Sequence, residues 1–529
     1  MTSKHKNTPN WVNVGNPERL ESAGRALVKT NGHSIAVFES DGALYACANR
    51  CPHEGYPLME GELSDGCVLT CHWHNWKFDL STGDTVIGGD RTRIYPIEWR
   101  KGEIWIDIAD DPLERRVERG FENLHQAMDD VDYDRMAREI ARLDKLGVSG
   151  EVIVAAGIKL VHNRFEYGGN HAFAAAEDWL RLSKRTRSKA KSLSAILEAI
   201  SHMSYDAKFE GSFPFTRGLA VYAPEALLQG IEDGDESHAI AVLHDALAEH
   251  VPAGDLLDVL ERAALAHYQD FGHATIYADK VRRLMAMLGP EIEEPLLLWL
   301  VRTLCYSTRE DLIPEFRAYR DLLAKWDGKG REPAVAQEFI GLSVREACKR
   351  ALKSSARVLE LFDALTGAAA WNLLHFDTAN DIAVKVAIGQ GVGWLDFTHG
   401  ITFANAVRKI CARQPELWPQ GLMQMACFVG RNKRSVDMGL DVSPWRVADA
   451  KRFFSESVEG LFDHGVWRPI IAAHLLKTLA AAEDLLKAAP EASYRADLLA
   501  GANRFLSADI KGKHVLRTMN QALDFISRG

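Results

Sequence analysis

The stretch CPHEGYPLMEGELSDGCVLTCHWH, residues 51–74, sets two cysteines and two histidines in the order C-x-H and then C-x-x-H. Thiol and imidazole side chains ligate soft and borderline metals, and two such pairs on neighbouring turns can grip one inorganic centre from both sides. This constrains the fold, because the chain around the box must bring Cys51 and His53 against Cys71 and His74. The surrounding sequence can do so. Residues 9–110 alternate short β-branched and aromatic runs (ALVKT, SIAVFES, ALYACAN, GCVLTC, WKFDL, RIYPIEW, EIWIDI) with the turn pairs Asn31-Gly32, Asp41-Gly42, Asp65-Gly66 and Lys101-Gly102. That pattern predicts an all-β meander of hairpins.

Two ligand readings compete. Zinc knuckles usually pair C-x-x-C, whereas two thiolates with two imidazoles are the ligands of a mixed His/Cys [2Fe-2S] centre. The residues CPHEGYPL…CHWHNWKFDLSTGD favour iron and closely resemble Rieske ferredoxins and the N-terminal domains of ring-hydroxylating oxygenases, over about residues 9–110. The resemblance implies a [2Fe-2S] cluster held by Cys51, His53, Cys71 and His74. Imidazole is neutral where thiolate is anionic, so such a centre is more easily reduced. High-potential respiratory Rieske proteins carry a further cysteine in each loop, joined as a disulfide. His53-Glu54-Gly55-Tyr56 and Cys71-His72-Trp73-His74 lack that pair, which implies the lower-potential type that feeds oxygenases. Cys47 and Cys67 read as core residues. Asn75 stands where these ferredoxins commonly have glycine, a departure not expected to alter ligation.

Near Asp110-Asp111-Pro112 the texture changes, and Ala/Leu-rich stretches with helical periodicity follow, such as DYDRMAREIARLDKLG at 132–147 and LLDVLERAALAHYQ at 256–269. The boundary falls within 111–125. The expected fold class is multidomain α+β: a small all-β domain, 1–115, and a large all-α helical bundle, 116–529, readable as two halves, 150–330 and 331–529. With 529 residues there is material for a large core, and 47% hydrophobic with 26% charged residues suits a globular chain. A net charge of −10 argues against nucleic acid and anionic lipid. No N-terminal apolar stretch reads as a signal peptide, and LLLWLV at 296–301 is far short of the ~20 residues of a membrane span. Eight cysteines, four of them between 47 and 71, make no disulfide framework. The expectation is a cytoplasmic protein.

Two motif-like signals beyond residue 120 fail on context. In IAVKVAIGQGVGW (382–394), Trp394 stands where G-x-G-x-x-G needs its third glycine, and no βαβ pattern surrounds it. Asp235, His238 and His244 mimic a mononuclear-iron spacing, but Asp235 reads as the N-cap of an amphipathic helix that turns the two histidines apart. A stronger signal is an internal repeat of helix pairs, each opening on a histidine: HAFAAAEDWLRL from His171, HATIYADKVRRL from His273, HGITFANAVRKI from His399 and HLLKTLAAAEDLL from His474. Offsets +4, +8 and +11 are apolar in nearly every copy and share an arc of about 80° with the histidine. All four histidines thus belong to a buried stripe at the start of a helix. Spacings of 102, 126 and 75 residues are too irregular for a solenoid and suit a bundle whose equivalent helices converge.

Each histidine taken singly reads as a core residue hydrogen-bonded to a carbonyl or carboxylate. Four in equivalent positions read as ligands of a non-haem iron, for which neutral imidazole is a usual donor. His162 and Glu166, His267 and Asp270, His375, Asp396 and His464 are additional ligand or orienting candidates, with Glu166 and Asp270 assigned catalytic roles. Lys385 is a charge inside an apolar run. It is either a snorkelling lysine or, if desolvated, a catalytic residue able to take up CO2 as a carbamate ligand.

The pattern HNRFEYGGNHAFAAAEDWL (162–180), with the later histidine-led helices, resembles the questin-oxidase-like family over about 150–515. That resemblance implies an all-helical oxygenase acting on polycyclic aromatic ketones and quinones. The fused N-terminal domain departs from the usual family layout. The expected function is an O2-dependent oxidoreductase: an external NAD(P)H-dependent reductase reduces the Rieske cluster, which feeds iron held by His171, His273, His399 and His474 beside an organic substrate. Electrons would cross within one chain or between neighbours in a homo-oligomer. The alternative is a Rieske electron carrier whose helical domain serves only for docking and holds no metal.

Overall fold

A computed structural model describes residues 8–15, 20, 24–208 and 211–528. It forms two compact units, Met1–Ser149 and Gly150–Gly529.

Among the described residues the first unit carries ten strands: β1 (Trp11–Gly15), β2 (Arg25–Thr30), β3 (His33–Ser40), β4 (Ala43–Ala48), β5 (Glu62–Ser64), β6 (Val68–Thr70), β7 (Lys77–Asp79), β8 (Thr85–Ile87), β9 (Ile97–Arg100) and β10 (Glu103–Asp107). They pair antiparallel in three sheets ordered β1-β10-β9, β2-β3-β4 and β5-β6-β7-β8. At all four expected turn pairs both central residues have positive φ, from 44° at Asn31 to 84° at Gly102. That is the conformation whose twist matches the flanking strands. The run Ile35–Phe38 is buried on both faces of β3. Ile35 and Val37 join one core with Ile104 and Ile106, while Ala36 and Phe38 join a second with Leu58, Leu69 and Phe78. Cys47 lies in the second core, where burial pushes its thiol up to about 12.

Two helices, Leu113–Asp129 and Tyr133–Lys145, follow the strands in this unit. Asp132 caps the second by accepting the Arg135 amide at 3.0 Å. The fully buried Asp90 ties that helix to the sheets through Arg138 at 2.7 Å, Arg135 at 3.4 Å and Arg142 at 3.6 Å. The composition change at 111–125 therefore marks the end of the strands, and the compact unit continues to Ser149.

The second unit is helical. Its centre is a ring of four helices, Ala172–Ser183, Gln269–Leu288, Trp394–Arg413 and Pro469–Ala488, each packed on the next and the last on the first. Every residue at offsets +4, +8 and +11 from the four histidines is buried. His171 stands immediately before its helix and His273 follows a left-handed segment, Gln269 to Gly272 (φ 34°, 42°, 58° and 78°). His399 and His474 do not open their helices but lie in the second turn, because Trp394 and Pro469 start those helices one turn earlier. Proline suits the first helical position, where its missing N–H costs nothing. Asp235 caps Glu236–Ala248 and accepts the His238 amide at 3.0 Å, as its sequence context implies. Among the described residues no helix is long and apolar enough to cross a membrane.

Candidate metal centres

The first centre lies on two loops of the β unit that repeat each other's backbone. The Cys51 amide bonds the Tyr56 carbonyl and the Gly55 amide bonds the Cys51 carbonyl, both at 2.8 Å; Cys71 and Trp76 make the same pair at 2.8 Å, and Asn75 and Cys71 at 3.0 Å. Gly55 and Asn75 occupy equivalent places at φ 83° and 59°. Asparagine tolerates this left-handed conformation, so the replacement of glycine leaves the loop intact. Cys51 and Cys71 are buried, while His53 and His74 are part-exposed, with ring centroids 4.7 Å apart. Trp76 stacks on His53 at 4.5 Å.

This arrangement fits a [2Fe-2S] cluster. Nδ1 of His53 is buried without a hydrogen-bond partner, a costly state that a metal bond would relieve. The outward Nε2 atoms of His53 and His74 both lie 3.9 Å from the Glu54 carboxylate. Burial, with the adjacent Cys71, pushes the Cys51 thiol up to about 11; cationic iron would reverse that preference. Glu54 carried no signal in the sequence beyond its place between the ligands.

The second centre is in the helical ring. His171 Nε2 lies 2.9 Å from His273 Nε2, His273 Nε2 2.8 Å from His399 Nε2, and His399 Nε2 3.1 Å from His474 Nε2. All four nitrogens lie within 4.8 Å of one another. Nδ1 of His273 donates to the Gln269 carbonyl at 3.2 Å and that of His474 to Ile470 at 2.7 Å; His399 does the same to Leu395. Each bond reaches four residues back and turns the Nε2 lone pair to the centre. Burial, reinforced by the other rings and by Lys477, holds all four pKa values well below the usual histidine value, so the imidazoles are neutral. With metal–nitrogen bonds of about 2.1 Å, neighbouring donors stand about 3.0 Å apart at a right angle and about 3.4 Å apart in a tetrahedron. The three observed separations lie nearer the first figure than the second, and the four imidazoles would hold a first-row metal ion.

Residues 10–94 match the Rieske [2Fe-2S] domain family. The ferredoxin component of the naphthalene 1,2-dioxygenase/salicylate 5-hydroxylase systems of Ralstonia sp is 33% identical over 76 residues, 14% of this chain and 72% of that protein. The chain belongs to the Rieske [2Fe-2S] family. The 3-phenylpropionate/cinnamic acid dioxygenase ferredoxin subunit of Photorhabdus laumondii is 32% identical over 18% of this chain and 90% of its own length. The 4beta-methylsterol monooxygenase of Methylococcus capsulatus is 34% identical over 115 residues, and the Rieske chain spans only 31% of it. Among solved structures, the terminal oxygenase of carbazole 1,9a-dioxygenase from Nocardioides aromaticivorans aligns with 20% of the chain and 32% of its own, at 20% identity and a TM-score of 0.18.

The remaining expected residues of the Rieske chain lie outside the four-nitrogen group. Glu166 is exposed on a cavity of about 310 Å3 that is also lined by His171 and Asp206. Asp270 is exposed on the left-handed segment before His273. Lys385 is exposed in an irregular stretch after the short helix Ala379–Ile382; with its amine in water, the desolvation that a carbamate ligand required is missing. His162, His267 and His375 are held by the carbonyls of Lys159, Ser307 and Trp371, and His464 lies 3.3 Å from Glu198. Asp396 lies 3.4 Å from Arg431.

Sequence reading missed the charged residues on the other side of the histidines, at offset +7 in the first two helices and at +10 in all four. The +10 residues of the four helices are Arg181, Arg283, Lys409 and Asp484, and the single carboxylate meets all three cations, at 2.8, 3.5 and 2.6 Å. At +7, Asp178 pairs with Lys280, both buried. Histidines in one layer and ion pairs in another make the four helices parallel, N-terminal ends together. At +3, only the His474 helix places a base, the buried Lys477.

Proposed function

We propose that this Rieske protein is an O2-dependent oxidoreductase in which the cluster on Cys51, His53, Cys71 and His74 feeds single electrons to a non-haem iron held by His171, His273, His399 and His474. The observation that carries this reading is the convergence of four neutral imidazole nitrogens within 4.8 Å of one another. Relatives of the β unit belong to oxygenase systems, among them a sterol monooxygenase and a naphthalene dioxygenase ferredoxin. By analogy the substrate is a small organic, aromatic or quinone-like molecule, and the electron donor is an external NAD(P)H-dependent reductase.

Iron at the second centre would supply stepwise reduction of O2. The chain's own groups set the conditions. The carbonyl bonds of His273, His399 and His474 fix their tautomers, and these three rings are buried, while His171 borders the cavity. Asp206 accepts the His171 and Ala172 amides at 3.2 Å each, anchoring the first helix where the cavity opens. Glu166, on that cavity, is placed to move protons between site and solvent.

Metal analysis alongside acid-labile sulfide tests the reading. An oxygenase holds more than two irons per chain and two sulfides. A preparation with two irons, two sulfides and no further metal would make the chain a carrier.

A further inference from the structure

The helix Val515–Arg528 meets the rest of its unit through polar groups. Arg517 donates to the carbonyls of Ala383, Asn380 and Asp381 at 2.6, 2.8 and 2.6 Å, Asn520 to Val384 at 2.7 Å and Gln521 to Val386 at 3.0 Å. These three residues, with the part-buried Asp524, mark the face turned inward. At 100° per residue, Val515, Leu516, Met519, Ala522, Leu523 and Ile526 fall within an arc of about 120° on the opposite side. All six are exposed, the five larger ones by 56% at Met519 to 75% at Ile526. A helix of a globular protein ordinarily does the reverse and buries its apolar stripe. Among the described residues nothing covers this one.

The spacing of the exposed residues selects the partner. Leu516, Met519, Leu523 and Ile526 follow one another by three, four and three residues, the a and d positions of two heptads. Such a seam packs against another helix of the same spacing, and a second copy of this chain carries it by necessity. The flanks agree. Val515, Asn520, Ala522 and Ser527 stand at the e and g positions, so two copies meet without like charges, and nothing there selects a different protein by its charge. Lipid fits less well: a helix lying on a membrane carries Lys or Arg along its polar face, and Arg517 is spent on backbone carbonyls. The bare face is on the order of several hundred Å2, the upper range for a monomer. Two such faces joined bury roughly 1,000 Å2, where specific interfaces begin. We propose that the Val515–Arg528 helices of two copies pair through Leu516, Met519, Leu523 and Ile526, an isologous contact that makes the protein a homodimer.

Sedimentation velocity of the full-length protein over a micromolar concentration series tests this. Wild type should sediment with twice the chain mass. Met519→Glu/Leu523→Glu should raise the dimer dissociation constant at least about a hundredfold, because four carboxylates would meet in an apolar seam. Met519→Lys/Leu523→Lys should do the same. Both side chains are exposed in the single chain, so far-UV circular dichroism and cluster absorbance should match wild type. Mixed in equal amounts, the two variants should form a dimer again, since carboxylates then face amines whether the helices run parallel or antiparallel. A wild type that stays monomeric at tens of micromolar overturns the proposal. A dimer that persists in both variants overturns it too, placing the contact elsewhere, as does a mixture that stays monomeric. Phosphatidylcholine vesicles that bind monomeric wild type and neither variant would make lipid the occupant instead.

Discussion

Three buried imidazoles commit Nδ1 to a carbonyl four residues back, which leaves Nε2 no role but acceptor or ligand. His399 touches both His273 and His474, so His399→Ala should empty the helical centre while the EPR spectrum of the reduced cluster stays unchanged. Full retention of the extra metal would return the four residues to ordinary core histidines. On the β unit, Asn75 holds φ 59°. Asn75→Gly should leave cluster content and stability unchanged, whereas Asn75→Val should cost about 1–2 kcal/mol in thermal unfolding. The histidines were legible because four helices repeat them. The burial of Lys477 was not, since one helix alone carries a base at that offset. Lys385 misled for the complementary reason: its apolar neighbours in sequence do not cover it in space.

The apolar offsets of each helix were readable from period alone, and all twelve positions are buried. The charged residues at +7 and +10 were not, because charged residues at helical spacing normally mark a solvated face. Only pairing between helices far apart in sequence makes their burial tolerable. Asp484 is the hub. Burial by itself would raise its pKa, but Arg181 and Lys409 outweigh burial and hold the carboxyl well below the usual range. A depressed carboxylate contributes stability above its unfolded pKa of about 3.9 and loses it as pH falls toward the folded value. Asp484→Asn takes from Lys409 its carboxylate partner and leaves Arg181 and Arg283 to Glu177 and Asp279, and should cost about 3 kcal/mol at pH 7. In urea titrations the gap to wild type should be constant from pH 8 to about 4 and narrow below that. A gap that closed near pH 6 would mean that another group sets the stability of this layer.

At the scale of the molecule, the hairpins of the β unit were legible because Asn-Gly, Asp-Gly and Lys-Gly pairs force their turns. The extent of that unit was not, since its helices after Pro112 look like the start of the helical unit, and it is the buried Asp90 that ties the second of them to the sheets. If the cluster's electrons leave through the four-histidine centre, stopped-flow mixing with O2 should reoxidise the cluster at least tenfold faster in wild type than in His399→Ala. Equal rates would favour the carrier. The parallel arrangement of the ring has a consequence for how the protein is made. Parallel helices cannot be joined by tight turns, and successive ring nitrogens are 102, 126 and 75 residues apart. Closing such loops is entropically slow, and high contact order delays a site beyond its local helices. During refolding, helical circular dichroism should therefore recover before the chain can bind cobalt. The centre comes into being as the last event of folding, after His474 has been synthesised, and it is loaded in a nearly finished protein.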